Sequence, residues 1–266
     1  MTDQKSSPDP EDELAGTEQP FVEHLLELRN RLIKSVLAVF VVAIVLAIYP
    51  GPAHLFDFLA RPLVAHLPAG AHMIATSVIS PFVVPLEILV MAAFMIALPV
   101  VLYQIWAFVA PGLYLREKKL VLPLVITSTV LFFTGVAFCY YIVFGRVFTV
   151  IQAFAPKAIT AAPDIDAYLS FVITMFLAFG VTFEVPVAVI VLARIGIVTI
   201  DQLKHFRGYF IVLSFVAAAV VTPPDVISQL SLALPMCLLY EAGIWAARVF
   251  IRNSSEEPEE AEAAHS

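Results

Sequence analysis

Phe21-Val22-Glu23-His24-Leu25-Leu26-Glu27-Leu28-Arg29-Asn30-Arg31-Leu32 leads directly into an apolar run at 33–49. As a helix, it sets Phe21, Leu25, Leu28 and Leu32 on one stripe and Glu23, Glu27, Arg31 and Lys34 on another. The run that follows approaches the ~20 apolar residues needed to cross a bilayer. The chain therefore enters a membrane through an amphipathic helix. Lys and Arg are enough to anchor such a junction. The carboxylates are surplus to anchoring, which makes them the first candidates for function.

Working outward, the same apolar density recurs along the chain. Of its 266 residues, 61% are hydrophobic and 14% are charged, more apolar surface than a soluble domain of this size can use. Six spans are predicted at about 33–49, 83–109, 120–144, 167–193, 206–221 and 226–247. Pro85 and Pro99 interrupt the second, Pro123 lies near the start of the third, and Pro186 lies in the second half of the fourth. The fold class is an all-α integral membrane protein of six transmembrane helices, with a membrane domain over 20–250. The first run lies behind an acidic tail and is long enough to span, so it reads as a span rather than a cleavable leader.

The net charge of −7 is a property of the ends. Segment 1–19 holds Asp3, Asp9, Glu11, Asp12, Glu13 and Glu18 against Lys5, and segment 251–266 holds Glu256, Glu257, Glu259, Glu260 and Glu262. Both read as solvated, disordered tails. Without those eleven acids and Lys5, eleven acids face fourteen bases, and the membrane body is net positive. With the N-terminus in the cytoplasm, Lys5, Arg29, Arg31, Lys34, Arg116, Lys118, Lys119, Arg194, Lys204, Arg207, Arg248 and Arg252 fall on the inner side. Only Arg61, Arg146 and Lys157 fall outside. This bias predicts that both termini are cytoplasmic. The first outer loop, about 50–82, carries Pro50, Pro52, Pro62, Pro68 and Pro81 between short apolar pieces, which reads as short interfacial helices forming a structured cap. The second, about 145–166, is similar but more polar. No internal repeat is visible, which leaves the inverted-repeat architecture of many transporters without support.

Glu184 is the sharpest intramembrane feature. It lies ten residues before Arg194, so about 15 Å inside the membrane. A carboxylate there is costly unless protonated, paired or facing water. One reading is a neutral Glu bonded to a neighbouring helix; the other is a docking or water-lined polar site. Pro186 predicts a kink beside it. Glu117, after the helix-ending Pro111-Gly112, can be neutralised by Arg116 or Lys118, and Glu27 can pair with Arg31 at i,i+4. If the first two spans adjoin, however, Glu27 and Glu117 face one groove, and paired carboxylates suit guanidinium groups. Thr222-Pro223-Pro224-Asp225 fits a tight turn with Asp225 as helix N-cap. Gln229, one turn further on, is a membrane amide that bonds to another helix of the protein or of a partner. Glu87, Glu241 and Arg146 read as snorkelling or paired ends.

Enzyme signatures are missing: no His-Glu-x-x-His, Gly-x-Ser-x-Gly or phosphate-binding Gly-rich Lys-Ser/Thr loop occurs. The six histidines are scattered, Cys139 and Cys237 read as small hydrophobes, and no metal, cofactor or nucleic-acid partner is indicated.

Five pieces together resemble the TatC family, the multi-span subunit of the twin-arginine protein translocase. They are His24-Leu25-Leu26-Glu27-Leu28-Arg29; Met73-Ile74-Ala75-Thr76 with Ser80-Pro81-Phe82; Tyr103-Gln104-Ile105-Trp106-Ala107-Phe108-Val109-Ala110-Pro111-Gly112-Leu113-Tyr114; Ala178-Phe179-Gly180-Val181-Thr182-Phe183-Glu184-Val185-Pro186; and Thr222-Pro223-Pro224-Asp225. The likeness runs in order from about residue 20 to 250. It implies a concave, glove-like bundle that binds twin-arginine signal peptides of folded precursors through Glu27, Glu117, Arg29 and Phe108. It implies a functional intramembrane Glu184, and docking of single-span TatA- and TatB-type partners near Thr222 and Gln229. Pro62 and Asp225 match outer-loop positions and Tyr140 an aromatic of the third span. Further implications are other copies of the chain as partners, contact with membrane lipids, the cell inner membrane as location, and the proton-motive force as energy source. Ser77, Ala219 and Gly145 depart from residues that relatives carry. The rival reading is a proton-coupled secondary transporter with Glu184 as carrier; it leaves the inner-face acids unexplained. An intramembrane hydrolase lacks a nucleophile–base pair.

Overall fold

The computed structural model describes residues 10–64, 73–109, 121–154, 163–222 and 225–263. Among them are nine α-helices: α1 (Pro10–Ile48), α2 (Pro52–Val64), α3 (Ser80–Val109), α4 (Val121–Phe138), α5 (Phe144–Phe154), α6 (Ile165–Phe183), α7 (Val185–Arg194), α8 (Ile200–Val221) and α9 (Val226–Ala263). Six stretches are long and apolar enough to cross a membrane: Glu23–Ile48, Ser80–Val109, Val121–Val150, Ile165–Arg194, Ile200–Val221 and Val226–Val249.

The spans are those expected, but several ends differ. The third helix does not stop at 144. A single π-helical turn, Cys139–Val143, joins α4 to α5. Gly145 and Arg146 read as a loop start, yet Phe144, Val147 and Phe148 recur at helical spacing and are buried. The fifth span starts at Ile200 rather than 206. The Thr199 hydroxyl accepts from the Gln202 amide and the Gln202 side chain accepts from the Thr199 amide, a capping box. α3 runs unbroken through Pro85 and Pro99; packed neighbours make such prolines tolerable in a membrane helix. α1 and α9 extend into the two stretches assigned to disordered tails. A helix already nucleated by a span continues into acidic flanking sequence without a new nucleation cost.

Packing follows a chain of neighbours. α1 lies on α3, α3 on α4, α4 on α6, α7 on α9, and α9 on α8. The fourth span is the centre: 56% of its most apolar window is buried, against 11% for the first span and 17% for the fifth. In lipid, close van der Waals fit rather than apolar burial drives helices together, so small residues matter at contacts. A Cβ on Gly135 would meet the Phe179 carbonyl at 2.5 Å, and one on Gly180 would meet the Phe132 ring at 2.3 Å. These two glycines let α4 and α6 touch. Phe144, Phe176 and Phe148 fill the space above them, with centroids 5.5 Å apart for Phe144–Phe176 and 5.7 Å for Phe144–Phe148.

The expected cap exists, at the end of the bundle away from the termini. α2 buries Leu59 and Ala60 and packs on α3 and α5. Two tyrosines hold it: Tyr140 donates to the Phe58 carbonyl (3.0 Å) and Tyr168 to the Leu59 carbonyl (2.7 Å). Pro62 explains the first of these. Its nitrogen carries no hydrogen, so the Phe58 carbonyl four residues earlier lacks its helical donor. The Tyr140 ring also stacks on Phe58, centroids 5.5 Å apart. The two loops of the cap are tied together where the Ile74 amide donates to the Pro163 carbonyl (3.0 Å) and the Ile165 amide to the Ile74 carbonyl (2.9 Å). The Ser80 hydroxyl donates to the Asp166 carboxylate.

Candidate functional site

At the termini end of the bundle, the amphipathic stripe of α1 turns Leu25, Leu28 and Leu32 outward. Its charged stripe closes on itself: the Arg31 guanidinium donates to Glu27 Oε1 from Nη2 (2.5 Å) and Nε (2.9 Å). Glu27 Oε2 lies 4.0 Å from His24 Nδ1. The His24 ring stacks on Phe108, centroids 4.2 Å apart and planes 18° from parallel. This contact brings the Glu27 carboxylate beside the end of α3, and the two spans adjoin as the groove reading requires. Glu27 and Phe108 are half-buried and Arg29 is exposed. Glu117 lies outside the described residues. His24 was missed by sequence reasoning, although its place three residues before Glu27 puts both on one helix face.

Glu184 sits at the joint between α6 and α7. Its amide bonds back to the Val181 carbonyl (3.0 Å), and its own carbonyl accepts from Ala188 (2.9 Å). The break beside Pro186 is thus the expected one. Both carboxylate oxygens are buried, and among the described residues none donates a hydrogen bond to either. The Ser128 hydroxyl is within electrostatic reach but out of hydrogen-bond register. Its oxygen accepts from the Trp106 indole N–H at 2.9 Å. Three spans therefore bring Trp106, Ser128 and Glu184 into one neighbourhood, bonded only between Trp106 and Ser128 among the described residues. Sequence reasoning passed over Trp106 and Ser128. The signal was the indole N–H itself, which needs an acceptor when removed from water.

The hairpin of α8 and α9 holds the remaining candidates. Thr222 is buried and its hydroxyl donates to the Ala218 carbonyl (2.8 Å). Asp225 Oδ1 accepts from the Ser228 amide (2.7 Å), the N-cap expected of it. Gln229 Nε2 donates to the Phe215 carbonyl at 3.3 Å, so its amide binds across the hairpin. At the other end of the hairpin, Arg207 and Glu241 form a 2.7 Å ion pair. Tyr240 donates to the Leu203 carbonyl (2.9 Å) and stacks on Phe210 at 3.9 Å. From the Arg207–Glu241 pair to the hairpin turn, α8 and α9 offer an uncharged band about 21 Å tall, at 1.5 Å per residue. A bilayer core is about 30 Å thick. α8 starts six residues before the predicted 206, yet its uncharged band falls short of the bilayer core.

These features define a polytopic α-helical membrane protein with polar groups at one face and one carboxylate in its interior. Residues 23–235 match the family described as Sec-independent protein translocase protein (TatC). A relative of that name from Halothiobacillus neapolitanus is 50% identical over 92% of this chain and 67% of its own length. One from Escherichia coli K12 is 42% identical over 90% of this chain and 93% of its own. A solved structure named twin arginine translocase receptor TatC superposes with TM-score 0.74 at 37% identity, covering 85% of this chain and 98% of that one. The chain belongs to the TatC family: it is a translocase component of Sec-independent protein transport, working with other translocase subunits, and not an enzyme.

Proposed function

We propose that the chain is the receptor and scaffold of a twin-arginine translocase in the cell inner membrane, with both termini in the cytoplasm. Its recognition face is the termini end of α1 and α3. There Glu27, with Glu117 from the segment beyond α3, takes the two guanidinium groups of a twin-arginine signal peptide, flanked by Arg29 and Phe108. The observation that carries this reading is the His24–Phe108 stack, which seats the Glu27 carboxylate at the end of the helix leading to Glu117. Arg31 already donates two N–H groups to Glu27 Oε1, the kind of bond a substrate arginine would make in its place.

Glu184 is read as a polar docking point inside the bundle, because two buried oxygens without a donor among the described residues are costly to maintain without a use. Single-span partners of the TatA and TatB type are placed on α8 and α9 near Thr222 and Gln229. With its amide N–H engaged by Phe215, the Gln229 side-chain oxygen is the group left to accept a bond from a partner. Pro62 and Asp225 serve shape: one frees a cap carbonyl, the other caps α9. The proton-motive force drives transport of folded precursors, further copies of the chain complete the assembly, and the acidic segments 1–19 and 251–266 flank the membrane domain at 20–250 in sequence.

Site-specific crosslinking of a twin-arginine precursor tests the reading. Glu117→Arg abolishes the crosslink if the face recognises the arginine pair, and an unchanged crosslink removes the recognition role. Co-purification of precursors, against uptake of a labelled solute, separates a translocase receptor from the solute-transporter alternative built on Glu184.

A further inference from the structure

Glu87 is a carboxylate that the recognition face, the interior site and the hairpin leave unused. It is exposed on α3, seven residues after Ser80 and so about 10 Å below the cap end of that helix. Among the described residues no ion pair or hydrogen bond holds its side chain. It is the one charged residue lining an apolar groove of about 550 Å³ between α1, α3 and α6. Val39 of α1, Val90 and Phe94 of α3, and Ile173 and Leu177 of α6 form its walls. From Val83 to Phe94 the groove runs about 16 Å along α3. It occupies the half of the membrane nearer the cap.

Size limits what can lie there. The volume is that of a small-molecule site. Chemistry limits it further. The walls want hydrocarbon, and a carboxylate at the edge of the hydrocarbon zone wants a cation that can donate hydrogen bonds. An ethanolamine phospholipid carries both, an acyl chain and a primary ammonium. A choline headgroup has charge but no N–H, and a glycerol headgroup has a net negative phosphate.

We propose that this groove is a binding site for an ethanolamine phospholipid of the cap-side leaflet, with its ammonium on Glu87 and an acyl chain along Val39, Phe94 and Leu177. The site is independent of the recognition face and of Glu184.

The full chain, reconstituted into nanodiscs of equal parts phosphatidylethanolamine, phosphatidylcholine and phosphatidylglycerol with identical acyl chains, is released and its retained lipid read by native mass spectrometry. The ethanolamine lipid is retained about fivefold over the choline lipid, the upper range for an exposed ion pair. Glu87→Gln brings the two to parity, and Glu87→Lys turns the preference toward the glycerol lipid. That reversal is something a merely unfolded variant does not show. Val90→Trp fills the groove and lowers retention of all three. Equal retention by the parent protein, or an unaltered preference in Glu87→Gln, overturns the proposal. So does a photo-crosslinker at Leu86 that captures chiefly a second copy or another protein rather than lipid.

Discussion

Replacing Glu27 by Gln keeps its shape and removes its charge. A carboxylate–guanidinium hydrogen bond contributes about 1.5–3 kcal/mol. Glu27 must first release Arg31, which holds Oε1 through two N–H groups. An i,i+4 ion pair on a half-exposed helix is worth only about 0.3–0.5 kcal/mol. The balance left to peptide binding is about 1–2.5 kcal/mol, so Glu27→Gln weakens a twin-arginine peptide about 5–70-fold. The same arithmetic gives Arg31→Gln the opposite sign, because it removes a competitor for Oε1 and tightens binding by up to about twofold. Titrating a fluorescent twin-arginine peptide against each variant in nanodiscs, at one fixed salt concentration, measures both. A Lys-Lys peptide sets the background. An affinity for Glu27→Gln within twofold of the parent refutes the role of the carboxylate. If both variants shift in the same direction, the pair is simply a helix-stabilising bridge.

Gly180→Ala drives a Cβ into the Phe132 ring, and such overpacking costs about 1–3 kcal/mol; thermal unfolding in detergent shows a lower midpoint, partly restored by adding Phe132→Leu. Tyr168→Phe removes the buried bond to the Leu59 carbonyl and destabilises the protein by about 1–2 kcal/mol, with amide exchange rising first in α2. Glu184→Ala leaves the protein inserted but impairs export of a twin-arginine precursor. Wild-type export by that variant reduces Glu184 to a tolerated interior acid.

The spans were legible because a run of some twenty apolar residues has few other uses. Their ends were harder, for local reasons. Gly145-Arg146 looks like a loop start, yet the helix continues because Phe144, Val147 and Phe148 are held by the core and the chain absorbs the change of register in one π turn. Thr199 and Gln202 carried a readable start signal for α8, but the polar residues Asp201 and Lys204 hid it from a hydropathy argument. Of the site, Glu27–Arg31 follows from spacing alone. The His24–Phe108 stack joins residues 84 positions apart, and the attachment of Tyr140 and Tyr168 to the cap joins residues 82 and 109 apart. No local pattern encodes such meetings. Gln229 illustrates the middle ground: its need for a partner was plain, and the structure supplies the Phe215 carbonyl.

The Arg207–Glu241 pair also gives this molecule a rim of unequal height. Beside α3 the membrane meets a 30-residue helix; beside α8 and α9 it meets an uncharged band about 9 Å shorter than its own core. Lipid at that edge must compress, at an elastic cost of a fraction of a kcal/mol for each ångström of mismatch. Any neighbour whose membrane helix is itself short relieves that strain by standing there, whatever its side chains. If partners dock here as proposed, the hairpin attracts them by length before contact, and lengthening a neighbour's apolar helix by one turn weakens that attraction with every polar group left in place.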